Sequence, residues 1–176
     1  MKDNAHTRHN GIDHSVRRLI EDCTYTSKEY FTEAAILNSE RISIGVTSSF
    51  AAGTIVLALS ISLPERGFIV PICSFIALIA SALMTALNPG SKSSLYARIG
   101  NEYLQLQKKA QDFLDIDLSN DELSATELRS KLNLIRNERE LLYNKYSDAI
   151  IPNWVHIMVR KMVQSGESSY DFEARN

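Results

Sequence analysis

The chain has 176 residues, with 19 basic and 21 acidic side chains and a formal net charge of −2. That is one domain's worth of chain, and it contains neither internal repeats nor a low-complexity block. Its seven glycines form no phosphate-binding P-loop, dinucleotide-binding motif or nucleophile elbow, which excludes the common signatures of nucleotide hydrolases and α/β-hydrolases. The four histidines have no partners at ligand spacing, so we expect no metal site, catalytic residue, cofactor or enzymatic activity.

The first predicted element is a long amphipathic helix. Residues 1–10 are polar, and we expect them to lack ordered structure. Apolar side chains then recur at three- and four-residue steps and predict one helix over 13–40, with Asp13 as its N-cap. Nothing in the following residues breaks this helix, so it is free to continue into the apolar segment after it. Its apolar stripe consists of Val16, Leu19, Ile20, Cys23, Tyr30, Phe31, Ala34 and Leu37.

Two uncharged stretches, 42–63 and 67–91, follow almost back to back and are joined only by Pro64-Glu65-Arg66. As helices they would be about 33 and about 37 Å long, against a bilayer hydrocarbon core of roughly 30 Å. The pair therefore predicts a transmembrane helical hairpin. The alternative is a hairpin buried in a soluble helical assembly, although the chain has little other protein with which to surround it. A signal peptide is excluded, because the first stretch begins only at residue 42 and has no basic segment at the chain start.

The basic residues predict the orientation of this hairpin. Lys28 and Arg41 flank the first stretch, and the second stretch is followed by a basic segment with Lys92 and Arg98. By the positive-inside rule, both termini should lie in the cytoplasm and the three-residue connection outside. Cys23 would then be cytoplasmic and Cys73 would lie in the membrane, so we expect both to act as small apolar residues rather than to form a disulfide.

One face of the first stretch is unusually polar for a helix surrounded by lipid. Along this face we identify candidate pore-lining residues, which are Thr47, Ala51, Thr54, Ala58 and Ser62. The alternative is that the hydroxyl groups form hydrogen bonds between helices. No ionisable side chain lies within either stretch, which argues against a proton relay or a voltage sensor. The charge bias of a pore would come from its mouths, with Glu40 and Arg41 inside and Glu65 and Arg66 outside.

Small residues at steps of four occur on both stretches. The first carries Gly45, Ser49 and Gly53, and the second has the same pattern from Cys73 to Thr85. Such ridges allow helices in lipid to approach closely, either within one hairpin or between copies. Two helices cannot enclose a path for ions, so a pore requires a homo-oligomer, for which we expect a tetramer.

Three further helices are predicted after the second stretch, which Asn88-Pro89-Gly90 should end or kink. The third helix covers about 94–115, with an apolar stripe of Leu95, Ile99, Tyr103, Leu106, Ala110 and Phe113. Two capping boxes compete to start the fourth, Ser119-x-x-Glu122 and Ser124-x-x-Glu127, and its stripe consists of Leu128, Leu132, Ile135, Leu142 and Tyr146. Pro152 starts a short amphipathic helix with Trp154, Ile157, Met158 and Met162 on one side.

The predicted fold is therefore an all-α membrane protein. It comprises a cytoplasmic N-terminal helix over 1–41, the transmembrane hairpin over 42–91, a cytoplasmic helical bundle over 92–163 and a disordered tail over 164–176. On the fourth helix, basic and aromatic residues suited to phosphates and bases are Arg129, Arg136, Arg139 and Tyr143. Interleaved glutamates favour an ordinary solvated face instead. Arg139 is the exception, since it lies on the apolar stripe and should point into a subunit interface or a ligand pocket.

The order of these segments and their residue patterns resemble those of the SLATT family. Its members are two-transmembrane effector domains associated with SMODS nucleotidyltransferases and SLOG sensors in bacterial defence systems. The resemblance covers nearly the whole chain: the leading helix, the tight hairpin and its Asn88-Pro89 exit. It continues through Tyr96-x-x-x-Gly100-x-x-Tyr103-x-x-Leu106, Phe113-x-x-Ile116 and the helix that begins Glu127-Leu128-Arg129.

This resemblance implies a pore-forming effector of an anti-phage, abortive-infection system in the bacterial inner membrane. It further implies control by a nucleotide made by a partner nucleotidyltransferase, which would be a cyclic dinucleotide, a cyclic trinucleotide or a linear oligonucleotide. Whether the ligand opens or closes the pore stays open at this point. The alternative function is a membrane-anchored scaffold or docking protein without conductance.

Overall fold

The computed structural model describes residues 2–60, 66–118 and 123–165, with side chains over 11–57, 68–118, 123–163 and 165. All elements in this part of the chain are helical, which confirms the all-α prediction. The α-helices are α1 (Lys2–Ser60), α2 (Arg66–Leu87), α3 (Pro89–Asp112), α4 (Ala125–Lys145) and α5 (Asn153–Gln164), and a π-helical turn (Phe113–Asp117) follows α3. The predicted tail begins at residue 164, but Gln164 still belongs to α5 and Ser165 is its C-cap. The rest of that tail, the first capping box, and Pro64 and Glu65 of the connection between the two apolar stretches lie outside the described residues.

Helix α1 begins at Lys2, well before the predicted start at Asp13. The expectation that residues 1–10 lack ordered structure was wrong, and Asp13 is not an N-cap. Its carboxylate instead accepts hydrogen bonds from the guanidinium Nε of Arg17, one turn later, at 2.9 and 3.0 Å. An Asp–Arg pair four residues apart stabilises the interior of a helix. Asp13 therefore binds Arg17 rather than a free backbone amide at a helix start.

The chain divides into two compact units, one formed by Met1–Glu33 with Tyr96–Asn176 and the other by Ala34–Leu95. Unit 1 has an apolar core to which α1, α3 and α4 contribute most of the predicted stripes, whereas Leu95 of the α3 stripe is exposed. Its fully buried side chains include Val16, Cys23, Ile99, Leu106 and Leu128. The three- and four-residue spacing therefore identified the buried faces of these three helices correctly.

Gly100 in α3 allows the ring of Phe31 in α1 to lie against the helix backbone. A Cβ atom at this position would meet three atoms of that ring at 3.1–3.2 Å. Such a contact is closer than side chains normally allow, so glycine here makes close helix packing possible.

We expect Gly100→Ala to lower the free energy of unfolding by up to about 2 kcal/mol, because overpacking of roughly 1–3 kcal/mol exceeds the usual gain of about 1 kcal/mol from alanine in a helix. Denaturant unfolding followed by circular dichroism checks this. Gly11→Ala is the matched control, since a Cβ there meets nothing within 4 Å. That control should be neutral or slightly stabilising. A Gly100→Ala variant as stable as the control would contradict the packing.

Three tyrosine rings join α1 to α3 and hold the segment that leads into α5. Tyr30 stacks against Tyr96 and Tyr103, with ring centroids 5.8 and 6.0 Å apart. The Tyr30 hydroxyl donates to the carbonyl of Ala149, and that of Tyr96 to the carbonyl of Ile150. Burial raises the pKa of Tyr103 to about 12, so this side chain is neutral at physiological pH.

Helix α5 packs on unit 1 through a face other than the one that its large residues indicate. Val155 and Val159 are fully buried. The hydroxyl of Tyr25 donates to the His156 carbonyl at 2.9 Å, and His156 Nδ1 lies 2.5 Å from Oε1 of the buried Glu29. The predicted stripe of Trp154, Ile157, Met158 and Met162 is more than one third exposed at every position.

In unit 2 the buried side chains are small and the exposed ones large. Ala51 and Ala80 are buried, whereas Phe50 and Phe68 are each 79% exposed and Leu78 is 68% exposed. Among the described residues, one helical segment, which starts within α2 at Phe68, is long and apolar enough to cross a membrane. The predicted small ridge of α1 lies open, since a Cβ at Gly45 or Gly53 would meet nothing within 4 Å.

Helix α2 ends at the predicted breaker. Asn88 has a positive φ of 41°, and its amide donates to the carbonyl of Met84 at 3.2 Å. The left-handed conformation tolerated by asparagine thus caps the helix before Pro89 starts α3. Arg41 lies across the backbone at Gly90, and the Ser93 hydroxyl donates to the carbonyl of Ala34 at 2.8 Å.

Candidate anion-binding site

The capping box at the start of α4 sets which side chains of this helix point away from the core. Ser124 is the N-cap, its hydroxyl accepts from the amide of Glu127, and the Glu127 carboxylate accepts from the amide of Ser124 at 2.9 Å. Leu128 and Leu132 then face the core. Arg129, Asn133 and Arg136 follow at steps of four and three, so they share a neighbouring face.

This face of α4 and the beginning of α1 enclose a surface cavity of about 430 Å³. Such a volume lies within the range of roughly 300–1,000 Å³ that is typical of small-molecule sites. The cavity is lined by Gly11, Ile12, Ser15, Arg129, Leu132, Asn133 and Arg136. Ile12 and Leu132 are buried and provide apolar surface, whereas the two arginines and Asn133 provide hydrogen-bond donors.

Three carboxylates that lie close in sequence to the lining residues, those of Asp13, Glu127 and Glu138, are engaged with other groups. Glu127 is held by Ser124, whose hydroxyl and backbone hydrogen bonds lower the pKa of that carboxyl. Glu138 pairs with Lys109 of α3 at 2.5 Å, and Asp13 pairs with Arg17. Within the described residues, neither Arg129 nor Arg136 takes part in an ion pair. Among the side chains that the structure describes, the two guanidinium groups of the cavity thus have no acidic partner, and such groups suit a phosphate-bearing ligand.

The other two predicted ligand residues do not line this cavity. Arg139 forms an ion pair with Asp22 of α1, and Tyr143 is exposed on α4. The structure thus brings Arg129 and Arg136 together and places Arg139 in a contact between helices of one chain. Sequence reasoning missed Ser15 and Asn133; the only signal for Asn133 was its position between the two arginines.

A second surface cavity, of about 390 Å³, lies beside the π-helical turn. Its lysines are Lys109 and Lys131, which pair with Glu138 and Asp117, both at 2.5 Å. Its exposed apolar residues are Ile116 and Leu134. Because its cations are already paired, this cavity is a poorer anion site than the one between α1 and α4.

The predicted pore-lining face is only partly described. Thr47 is exposed, Thr54 is half-buried and Ala51 is buried, while the side chain of Ala58 and all of Ser62 lie outside the described residues. The hydroxyls of Thr47 and Thr54 each donate at 2.9 Å to the carbonyl four residues earlier. These bonds satisfy the hydroxyls within the helix, so the polarity of the face requires no partner helix.

The predicted pore mouths are likewise described on one side only. Glu40 is exposed, and Arg41 packs at Gly90. Glu65 and the side chain of Arg66 lie outside the described part of the chain.

An acidic side chain, Glu102, joins α3 to the end of α4. It accepts from Lys145 Nζ at 2.8 Å and from the Tyr146 hydroxyl at 2.5 Å. Arg98 lies at 3.9 Å. Although burial by itself would raise it, these hydrogen bonds and charges lower the pKa of Glu102 below its ordinary value.

A lowered folded-state pKa means that Glu102 stabilises the fold above its ordinary pKa of 4.5 and that this contribution is lost as the pH falls through the lowered value. We expect Glu102→Gln to reduce the free energy of unfolding near pH 7 by about 0.5–1.5 kcal/mol, with the deficit shrinking below about pH 4. Unfolding at several pH values measures this. Glu140→Gln, an exposed change on α4, is the control, and a deficit independent of pH would contradict the assignment.

Cys23 and Cys73 are both free thiols. Burial raises the pKa of Cys23 to about 11, so this thiol stays protonated and unreactive. It acts as a small apolar core residue, as expected.

The chain matches no protein-family model, and no curated protein or solved structure is significantly similar to it. Its function is therefore argued from the cavity, from the exposed apolar helices and from the sequence pattern.

Proposed function

We propose that this protein is a homo-oligomeric, non-enzymatic membrane channel whose opening is controlled by a nucleotide bound between α1 and α4. One observation carries the proposal: a cavity with two arginines that have no ion-pair partner in the described residues is lined in part by α1, and the same helix continues into the apolar segment. A ligand in this cavity therefore contacts the helix that would cross the membrane.

The membrane part is supported by the exposed surface of unit 2. Soluble monomers rarely expose contiguous apolar patches of more than a few hundred Å², yet large side chains such as Val46, Phe50 and Val56 on α1 and Phe75 and Leu78 on α2 are exposed. The acyl chains of a bilayer would cover this apolar surface at no cost in free energy. With only Pro64-Glu65-Arg66 between the two stretches, we propose a two-span hairpin with both termini in the cytoplasm.

The ligand class follows from the chemistry of the cavity. Planar guanidinium groups bind phosphate oxygens through two parallel hydrogen bonds, which lysine does not reproduce. Asn133 adds an amide donor and acceptor, and Ile12 and Leu132 offer apolar surface for a base or sugar. A nucleotide or short oligonucleotide combines these features. The SLATT-like pattern suggests the same class, made by a partner nucleotidyltransferase.

Control of the channel requires the ligand to bind one arrangement of the helices better than another. A ligand with equal affinity for two states changes neither population, whereas a preference of about 5.5 kcal/mol moves the ratio from 1:99 to 99:1. The cavity is formed by two separate helices, so a shift of α1 against α4 would change the contacts of Gly11, Ile12 and Ser15 with a ligand held by the two arginines of α4. Such a shift would supply the differential binding that gating needs.

Conduction requires several copies around an axis, and we propose a tetramer. The open ridge at Gly45 and Gly53 offers a surface for close contact between copies in lipid. The face with Thr47 and Thr54 would then line the path, with the hydroxyls wetted in the open state. In a bacterial inner membrane such a channel would depolarise an infected cell, in keeping with the anti-phage role of the SLATT family.

Flux from liposomes tests this proposal. Purified full-length protein would be reconstituted with a potassium-sensitive dye inside, and cyclic dinucleotides, cyclic trinucleotides and linear oligonucleotides added outside. We expect flux that depends on the protein and changes with one of these ligand classes. Absence of flux in every ligand state, with protein inserted and folded, would overturn the channel and favour a membrane-anchored docking protein.

A further inference from the structure

Helix α5 carries two apolar faces, of which unit 1 covers only one. Val155 and Val159 are fully buried. On the other side Trp154 is 48% and Ile157 53% exposed, and Met158, Met162 and Val163 are also more than one third exposed. A surface helix normally needs a single apolar stripe, so the second face is in excess of what folding of unit 1 requires.

The charge of α5 identifies the kind of partner that would fit this second face. Lys161 lies among the exposed apolar residues, Arg160 is exposed beside the hydroxyl of Tyr25, and the helix contains no aspartate or glutamate. A helix with exposed tryptophan, isoleucine and methionine together with basic residues is typical of segments that lie in the interface of an anionic membrane. Two such basic helices facing each other across a symmetric dimer would repel, which disfavours a second copy as the partner.

The contacts that attach α5 to unit 1 come from α1 and from the early part of α3. The segment that leads into it is held by Tyr30 and Tyr96, and its first turn by Tyr25 and Glu29. Tyr30 precedes the apolar part of α1 in the chain, and Tyr96 follows soon after α2 ends at Leu87. The contacts of α5 are thus made with residues close in sequence to both apolar stretches.

We propose that α5 lies in the plane of the cytoplasmic membrane surface, with Trp154, Ile157, Met158 and Met162 in the boundary between headgroups and acyl chains. Arg160 and Lys161 contact the phosphates of anionic lipids. This inference rests on the proposed insertion of unit 2 in a bilayer. It assigns to α5 the role of a lipid-responsive element attached to the cytoplasmic unit, so that lipid charge would influence how that unit is held.

Trp154 makes the test direct, because it is the only tryptophan in the chain. Full-length protein would be reconstituted in vesicles of phosphatidylcholine with or without phosphatidylglycerol, using lipids brominated either close to the headgroup or deep in the acyl chain. With phosphatidylglycerol present, we expect shallow bromines to quench the tryptophan emission roughly twofold, and deep bromines to quench it much less. Lys161→Glu should reduce the quenching, whereas Lys108→Glu, the same charge change on α3, should not.

Two results would overturn this inference. Emission quenched by aqueous iodide but by neither brominated lipid would place α5 in water. Shielding from both quenchers would place Trp154 against protein, such as a second copy. Vesicle flotation separates these results from failure of the proposed function: protein that does not float with vesicles refutes membrane insertion, whereas inserted protein without lipid quenching refutes only the position of α5.

Discussion

Replacement of Arg136 by glutamate is expected to abolish control of the channel by its nucleotide while the protein stays folded and assembled. Hydrogen bonds to charged groups contribute about 1.5–3 kcal/mol each, and every 1.4 kcal/mol changes affinity about tenfold. Loss of one guanidinium therefore weakens binding by roughly 10- to 100-fold. The new carboxylate adds repulsion of the phosphate, so Arg136→Glu should bind more weakly than Arg136→Ala.

Titration calorimetry on detergent-solubilised protein measures this effect, with inorganic triphosphate as a simple probe and the active nucleotide of the flux assay as the second ligand. Arg136→Lys keeps the charge but loses the planar guanidinium group that can donate two parallel hydrogen bonds. Its affinity for the ligand should lie between those of the native protein and Arg136→Glu. Lys108→Glu is the matched control, since this exposed residue of α3 lies outside the cavity. Native affinity in folded Arg136→Glu would remove the cavity from the mechanism.

Arg129→Glu should behave in the same way, because Arg129 lies on the same face of α4 as Arg136. Arg139→Glu differs: it breaks the ion pair with Asp22 and puts two carboxylates together. We expect that change to act mainly on stability. The three variants thus separate ligand binding from helix packing on one helix.

The helices and their buried faces could be predicted from the sequence where only one face was suited to the core. On α3 and α4, most apolar side chains fall on one stripe, although Leu134 and Leu141 are exposed away from it. Asn88 and Ser124 mark the boundaries by their capping chemistry. On α5, apolar residues lie on both sides, so periodicity alone did not determine which was buried. The contacts of Tyr25 and Glu29 with His156 decide that orientation, and they join residues far apart in the chain.

The same distinction applies to the candidate site. Arg129 and Arg136 could be singled out because two cations seven residues apart share a helix face. Their lack of ion-pair partners in the described residues could not be predicted, because Glu140 lies four residues after Arg136, the spacing at which helical ion pairs form. No ion pair joins these two side chains in the described part of the chain. Ile12 and Ser15 became part of the site only through the packing of α1 on α4.

The orientation of α4 connects the core with the cavity, because the rotation that buries Leu128 also turns Arg129 toward α1. Leu128 is fully buried, whereas Leu141 on the same helix is 69% exposed. Any rotation that exposed Leu128 would move the two arginines out of the cavity as well. Stability measurements at these two leucines therefore also test the geometry of the site.

We expect Leu128→Ala to lower the free energy of unfolding by about 2–5 kcal/mol, through lost burial and the cavity left behind. Leu141→Ala, the same change at an exposed position, should alter it by less than about 0.5 kcal/mol. Denaturant unfolding in detergent, with Leu128→Ile as a conservative variant, compares the two. Equal losses at both leucines would mean that α4 buries a different face, and the placement of Arg129 and Arg136 beside α1 would then be wrong together with the packing that produces it.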